Sequence, residues 1–299
     1  MRTLNPNGPL VVVGSLHHDI MVEVERQPMR GETLMGRKWF PKFGGKGGNQ
    51  AVAAAQLGAD THFIGAVGQD EFGDTLLAML AGAGVDHSGV TRVETGSGMS
   101  VAMVDDEGDY AAVVVTGANA EIRADAVAES EVLKRASALL LQNEVPHAIN
   151  LAVAKAACDA GAIRLWNAAP MRPDPDDMID LVDLLIVNAI EAEQICGQSV
   201  KTLEDAEVAA QKLCERGVNA VVTAGAAGCA WATTDGGLGA LSAKPVENAQ
   251  AHGAGDVFCG ALAAHLVGTS LSDSIAYASD QAFRHVSGIP LRNTPVIPT

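Results

Sequence analysis

The sequence predicts an α/β fold, a mainly parallel sheet covered by helices on both faces, with a small β excursion attached to it. Two observations predict the sheet. From about Glu121 onward, short aliphatic runs at Ala138 to Gln142, Ile163 to Trp166, Leu184 to Val187 and Ala220 to Thr223 alternate with helical patterns. These runs are mostly apolar, with Gln142, Arg164 and Thr223 as the polar exceptions, as strands largely buried on both faces require. A third observation predicts the excursion: Met21 to Phe43 carries Pro28, Gly31, Gly36 and Pro41 among alternating apolar residues, which suits short strands and turns better than a helix.

In chain order, Leu10-Val11-Val12-Val13 is a buried first strand closed by Gly14-Ser15, with His17, His18 and Asp19 following it. Ligands bind at the carboxyl ends of strands in open α/β sheets, so Asp19 is a candidate for substrate hydroxyls as well as a candidate solvated loop acid. The two histidines lack a third ligand for a metal. Gly44-Gly45-Lys46-Gly47-Gly48-Asn49 reads as a glycine-rich loop entering an alanine-rich helix that Gly58 closes. It is no Walker A site, because Gly47 follows Lys46 where Ser or Thr is required. Either the loop lets backbone approach a ligand, with Lys46 and Asn49 as donors, or it is a flexible turn.

Thr61 to Val67 reads as a strand and Phe72 to Leu80 as a helix. Met99 to Val104 and Tyr110 to Val115 flank Asp105-Asp106-Glu107-Gly108-Asp109 as a β-hairpin that can pair with the excursion. Thr202 with Asp205 has the spacing of a capping box that opens a further helix, which Gly217 closes. Asn188 and Glu191 share one face of another helix start, where they can serve as a cap or hold a hydrated Mg²⁺ beside phosphates. Near the end, Gly253-Ala254-Gly255-Asp256 precedes a helical pattern through Phe258, Ala261 and Leu262. Its unpaired first-turn N–H groups suit a phosphate and Asp256 suits a general base; a plain strand-to-helix turn is the simpler alternative.

Composition narrows the function. The 299 residues, 48% of them hydrophobic, suffice for a large core, and 36 acids against 20 Lys and Arg give a net charge of -16. That charge opposes general binding to nucleic acid or anionic membranes. Five scattered cysteines without a C-x-x-C pair indicate reduced thiols and, with neither a leader-like apolar region nor a run of ~20 apolar residues, a cytoplasmic protein.

Taken together, Gly44 to Ala54, Asn188-Ala189-Ile190-Glu191, Val222-Thr223-Ala224-Gly225 and Gly253-Ala254-Gly255-Asp256, in that order, resemble the ribokinase-like, or PfkB, family of sugar and nucleoside kinases. The likeness runs from Val11 to about His265. Gly14-Ser15 with Asp19, Gly31-Glu32-Thr33 and Gln142-Asn143-Glu144-Val145-Pro146 are most similar to its ribokinase branch. The resemblance implies one Rossmann-like, doubly wound kinase domain over 1–299, with a β lid built from about 16–43 and 97–117 that often forms a homodimer. It implies an ATP-dependent transfer to a primary sugar hydroxyl. Asp256 would be the base, and Gly253, Ala254 and Gly255 the anion hole. Asp19, Gly45, Lys46, Asn49 and Glu144 would contact sugar, Asn188, Thr223, Gly225 and Gly228 nucleotide, and Glu191 would organise Mg²⁺ through water.

Three departures from the family pattern follow. Gln250-Ala251 replace the Asp-Thr that helps hold an activating monovalent cation, which puts potassium activation in doubt. His17 stands where the family has an asparagine that contacts ribose, which leaves open ribose or a related pentose or hexose of different stereochemistry or size. Phe283 to Thr299, with Pro290, Pro295 and Pro298, is short for the adenine loop and a final helix. A nucleoside kinase of the same family and a non-catalytic sugar- or nucleotide-binding protein are the alternatives. A Rossmann-type dehydrogenase is disfavoured by the missing dinucleotide glycine fingerprint.

Overall fold

The computed structural model describes residues 7–172, 176–246 and 252–292. The strands among them, in chain order, are β1 (Leu10–Val13), β2 (His17–Glu23), β3 (Lys38–Gly44), β4 (Thr61–Gly68), β5 (Asp86–Val93), β6 (Met99–Val104), β7 (Tyr110–Val115), β8 (Ala138–Leu141), β9 (Ile163–Asn167), β10 (Leu184–Asn188), β11 (Asn219–Thr223), β12 (Cys229–Ala232) and β13 (Leu238–Leu241). Nine form one sheet in the order β13-β12-β11-β10-β9-β8-β1-β4-β5. Pairing is parallel from β11 to β5, and β12 and β13 add an antiparallel edge.

Period-two alternation in the strands divides the interior into two cores. Val11 and Val13 point to one face with Leu139 and Leu141, where Ile149 and Val153 of the helix His147–Asp159 and Ala206 and Ala209 of the helix Leu203–Cys214 meet them. Leu10 and Val12 point to the other, against Ala51 and Ala54 of the helix Lys46–Gln56 and Phe258 and Leu262 of the helix Ala254–His265. Strand order reverses at β1, whose neighbours are β8 and β4. The carboxyl ends of β1 and β8 therefore flank a switch point, where crossovers diverge and leave a crevice for a ligand.

A second sheet, in the order β3-β2-β6-β7, stands apart from the first. Its β6–β7 hairpin falls where the sequence places it. Strand β2, however, begins at His17, so His17 and Asp19 are strand residues of the small sheet and not a loop at the end of β1. Lys46 likewise opens a helix and does not sit in a glycine loop. Gly45 turns the chain at φ +86°, and Gly47 and Gly48 then accept helical geometry. A Cβ on Gly47 would lie 2.7 Å from the Ser15 backbone nitrogen, and one on Gly48 2.7 Å from Leu16 and Phe43 side-chain carbons. Close packing repays the poor helix propensity of glycine here.

The capping box at Thr202 is formed: Asp205 N donates to Thr202 Oγ1 at 3.1 Å and Thr202 N to Asp205 Oδ2 at 2.9 Å. Strands β5 and β13 carry no clear signal in the sequence. Both are sheet edges, partly exposed and interrupted by polar residues or glycine.

The helices Lys46–Gln56 and Ala254–His265 cross at Gly260, where a Cβ would run into the Gln50 carbonyl oxygen and lie 2.9 Å from the Ala53 methyl. Gly260→Ala is expected to lower stability by about 1–3 kcal/mol, as overpacking of a filled interior does. A fall in the urea midpoint with unchanged slope would register it.

Candidate active site

The crevice at β1 and β8 is built around Glu144. Its Oε2 accepts from Ser15 Oγ at 2.5 Å and from the Lys46 backbone N–H at 2.8 Å, and His17 Nδ1 lies 4.0 Å away. One carboxylate thus ties the end of β1, the start of the lysine-bearing helix and the segment after β8. A cavity of about 380 Å³ opens beside it, lined among others by His17, Thr116, Asn143, Glu144 and Arg172. His17 is buried and its Nε2 has no partner. On the small sheet, Asp19 Oδ1 accepts from Ser100 Oγ at 2.5 Å, and Asp19 is paired in register with Lys42 on β3.

Asp256 lies in the first turn of its helix, after Gly253 at φ +85°. No side chain caps that helix, which leaves first-turn N–H groups to an anion. Asp256 Oδ1 accepts from Gln50 Nε2 at 3.0 Å, and Oδ2 from Asn49 Nδ2 at 3.3 Å. The carboxyl is packed deep among these neighbours while the residue as a whole keeps partial exposure, and it does not line the cavity beside Glu144. Burial pushes its pKa up, opposed by the Lys46 ammonium and the two amides. A carboxylate so raised is a stronger base than a free aspartate. Burial pulls Lys46 down, yet Asp256, Glu144 and Glu191 outweigh it and hold the ammonium above the ordinary lysine value.

A second centre lies at the ends of β10 and β11, where Asn188 and Thr223 are in register. Asn188 and Glu191 form a full capping box: Glu191 N donates to Asn188 Oδ1 at 2.9 Å, and Asn188 N to Glu191 Oε2 at 2.8 Å. Burial raises Glu191, and Lys46 is among the groups that pull it back, so the two centres share one field. Gly225 and Gly228 bracket a short turn after β11 with positive φ. Gly228 is glycine for a packing reason too, since a Cβ there would strike the Leu241 carbonyl.

The structure therefore brings Asp256, Asn49, Lys46, Glu144 and His17 to one crevice, with Gly45 as the turn that admits Lys46. Gln250 and Ala251 lie outside the described residues. Four polar contributors escape sequence reasoning: Ser15, Gln50, Ser100 and Lys42. Lys42 is half-buried; burial pulls its pKa down against the carboxylates of Asp19 and Asp256. The strand register that pairs it with Asp19 was the available signal. At the back of the anion turn, His285 Nε2 lies 3.0 Å from the His252 carbonyl oxygen and braces it.

A carboxylate in the first turn of an uncapped helix and a polar crevice at a switch point have the arrangement that a phosphoryl-transferring α/β enzyme requires. The model of the pfkB family carbohydrate kinases matches residues 8–285, and the chain belongs to that family: it is an ATP-dependent carbohydrate kinase. It is 33% identical over 290 residues to ribokinase of Arabidopsis thaliana, covering 92% of this chain and 75% of that one. It is 34% identical over 293 residues to ribokinase of Lactococcus lactis, covering 93% of each. The solved structure of Arabidopsis thaliana ribokinase complexed with ribose and ATP superposes with a TM-score of 0.86 at 33% identity, over 93% of this chain and 92% of that one.

Because the Lys46 ammonium pulls the Asp256 pKa down, Lys46→Met is expected to raise the Asp256 pKa and, if Asp256 limits the rate at low pH, to move the acid limb of the activity–pH profile upward. Initial rates between pH 5 and 8, a window about the ordinary carboxylate and histidine range, measure it.

Proposed function

We propose that the chain phosphorylates the primary hydroxyl of ribose or a closely related pentose, with Asp256 as the base. The observation that carries this reading is Asp256 itself, held by two amide donors at the uncapped start of its helix. Both oxygens accept, so the carboxylate is aimed as well as ionised. The sugar hydroxyl gives its proton to Asp256 as the oxygen attacks the terminal phosphorus, and the N–H groups of Gly253, Ala254 and Gly255 take the charge growing on the equatorial oxygens. Asp19, Gly45, Lys46, Asn49 and Glu144 hold the remaining hydroxyls, with His17 closing the end of the cavity beside Glu144. Relatives named ribokinase at 33–34% identity support ribose as the sugar. Asp256 in an intact hydrogen-bonded setting disfavours a non-catalytic binding role.

Asn188, Thr223, Gly225 and Gly228 line the nucleotide side. Among the described residues no group of three His, Cys, Asp or Glu could hold a metal. Glu191, beside the nucleotide side, would hold through water a Mg²⁺ ion carried by the phosphates; bound there, it would neutralise phosphate charge. Gln250 in place of the family aspartate supports independence from potassium. The whole chain acts as one kinase unit in which the small sheet serves as a lid that excludes water. Trp39, Tyr110, Val113 and Val114 on that sheet are each more than half exposed, which supports a homodimer formed through it. The five free cysteines support a cytoplasmic setting.

Release of ADP by the purified protein with Mg²⁺-ATP is expected with ribose above deoxyribose, fructose and nucleosides, at equal rate in sodium and potassium. A signal confined to nucleosides would overturn the sugar assignment. Asp256→Asn is expected to lower kcat by about 10²–10⁴ while leaving sugar and ATP binding within reach of calorimetry. Near-parental turnover would remove Asp256 as the base.

A further inference from the structure

Behind Asp256 runs a chain of primary amides that the reaction as described does not use. Gln50, on the helix Lys46–Gln56, donates from Nε2 to Asp256 Oδ1 at 3.0 Å. Gln142, the residue after β8, donates from Nε2 to Gln50 Oε1 at 2.7 Å. Asn150 in turn donates from Nδ2 to the Gln142 backbone oxygen at 2.7 Å. All three amides are fully buried. Gln142 Oε1 has no partner, nor has Asn150 Oδ1, and Gln142 Oε1 rests against Gly14, where a Cβ would collide with it.

A buried carbonyl oxygen without a donor is costly, and turning the amide over is the ordinary remedy. Here the remedy fails. Inverting Gln142 alone would set its Oε1 against Gln50 Oε1. Inverting both would set Gln50 Oε1 against the Asp256 carboxylate. The anion at Asp256 therefore fixes the sense of the Gln50 and Gln142 amides, and Gln142 Oε1 is left unpaired behind them, while Asn150, bonded to the Gln142 backbone and with its own Oδ1 unpaired, is oriented independently of Asp256. By the same linkage the aligned dipoles favour the ionised carboxylate. They also hold Oδ1, which leaves Oδ2, on its longer 3.3 Å contact with Asn49, as the oxygen free to take a proton.

We infer that Gln142 is a positioning residue for phosphoryl transfer: acting through Gln50, it keeps an amide donor on Asp256 Oδ1 so that the carboxylate stays ionised and aimed. The inference rests on the reading of Asp256 as the base. Other ionisable groups face Asp256 from the elements around it: Lys46 and Glu144 at the crevice, Lys42 on β3, His252 before its helix and Cys259 within it. The informative quantity is thus the difference between variant and parent profiles.

Gln142→Met, Gln50→Met and the double variant are compared with the parent and with Asp256→Asn, reading kcat, both KM values and the acid limb of kcat against pH. Gln142→Met is expected to lower kcat by about tenfold with both KM values within about twofold, the loss of one well-placed hydrogen bond in the transition state. Its acid limb moves to higher pH, because a carboxylate with a weaker donor keeps its proton longer. The double variant is expected to be no slower than Gln50→Met alone, since Gln142 acts only through Gln50. Parental kcat and acid limb in Gln142→Met, or losses that multiply in the double variant, would overturn the inference while a silent Asp256→Asn still upheld the base. Activity in Asp256→Asn would instead overturn the base, and the inference with it. Should Gln142→Met fail to fold, Gln142→Glu gives the same test. Its protonated acid can donate to Gln50 Oε1 and its ionised form cannot, so activity is expected to fall as that acid titrates, and a profile parallel to the parent's would overturn the inference.

Discussion

The deeply packed carboxylate of Asp256, pushed toward its neutral form and held against that by its neighbours, is the interaction on which this structure depends. Deep packing of Asp256 favours its neutral form, and under the proposed role as base a neutral acid could not accept a proton from an alcohol. The fold offsets that penalty with one ammonium, Lys46, and two amide donors, Asn49 and Gln50. All three sit on the same helix within five consecutive residues. The position of that helix against the helix carrying Asp256 is thus the dimension that matters most, and Gly260 sets it.

The glycines around Lys46 follow from the same need. Lys46 begins its helix one residue after Gly45, close enough to Glu144 for its backbone N–H to donate to that carboxylate. Such an approach is open only if the first turn lies directly on the backbone of Gly14 and Ser15, where Gly47 leaves no room for a Cβ. The glycine-rich segment is accordingly a packing device that delivers a lysine and two amides to fixed places. Freedom of the chain plays little part in it.

Much of this was legible in the sequence. The strands β8 to β12 announced themselves because burial leaves mostly aliphatic or small residues in each run, Arg164, Trp166 and Trp231 being the main exceptions. Asp256, Lys46, Asn49 and Glu144 could be named because each sits within a short motif of definite order. Strands β5 and β13 were silent, since an exposed edge relaxes the hydrophobic pattern that reveals a strand. Asp19 was recognised but misplaced, as no local signal distinguishes a loop acid from one in a short strand starting at His17. Gln50, Gln142 and Ser15 fell within the motifs but were given no role for another reason: their partners lie 206, 92 and 129 residues away. An isolated glutamine has no chemistry until tertiary structure supplies its partner.

The acidic character of the chain raises a final physical question, how a protein of net charge -16 receives a polyanionic nucleotide. Exposed charges separated by more than a Debye length, ~8 Å at physiological ionic strength, are largely screened, so the surface acids count for little at the cleft floor. Inside the cleft the balance is different. Lys46 and Lys42 face Asp256 from two elements, and the uncapped helix start adds a fixed partial positive charge. Glu144 is engaged by Ser15, the Lys46 N–H and the nearby His17, and Glu191 by the Asn188 N–H. The acids of the site are thus already bonded to protein donors, while the helix N–H groups are not. An incoming phosphate meets donors in need of a partner, and that local complementarity outweighs the sign of the whole molecule.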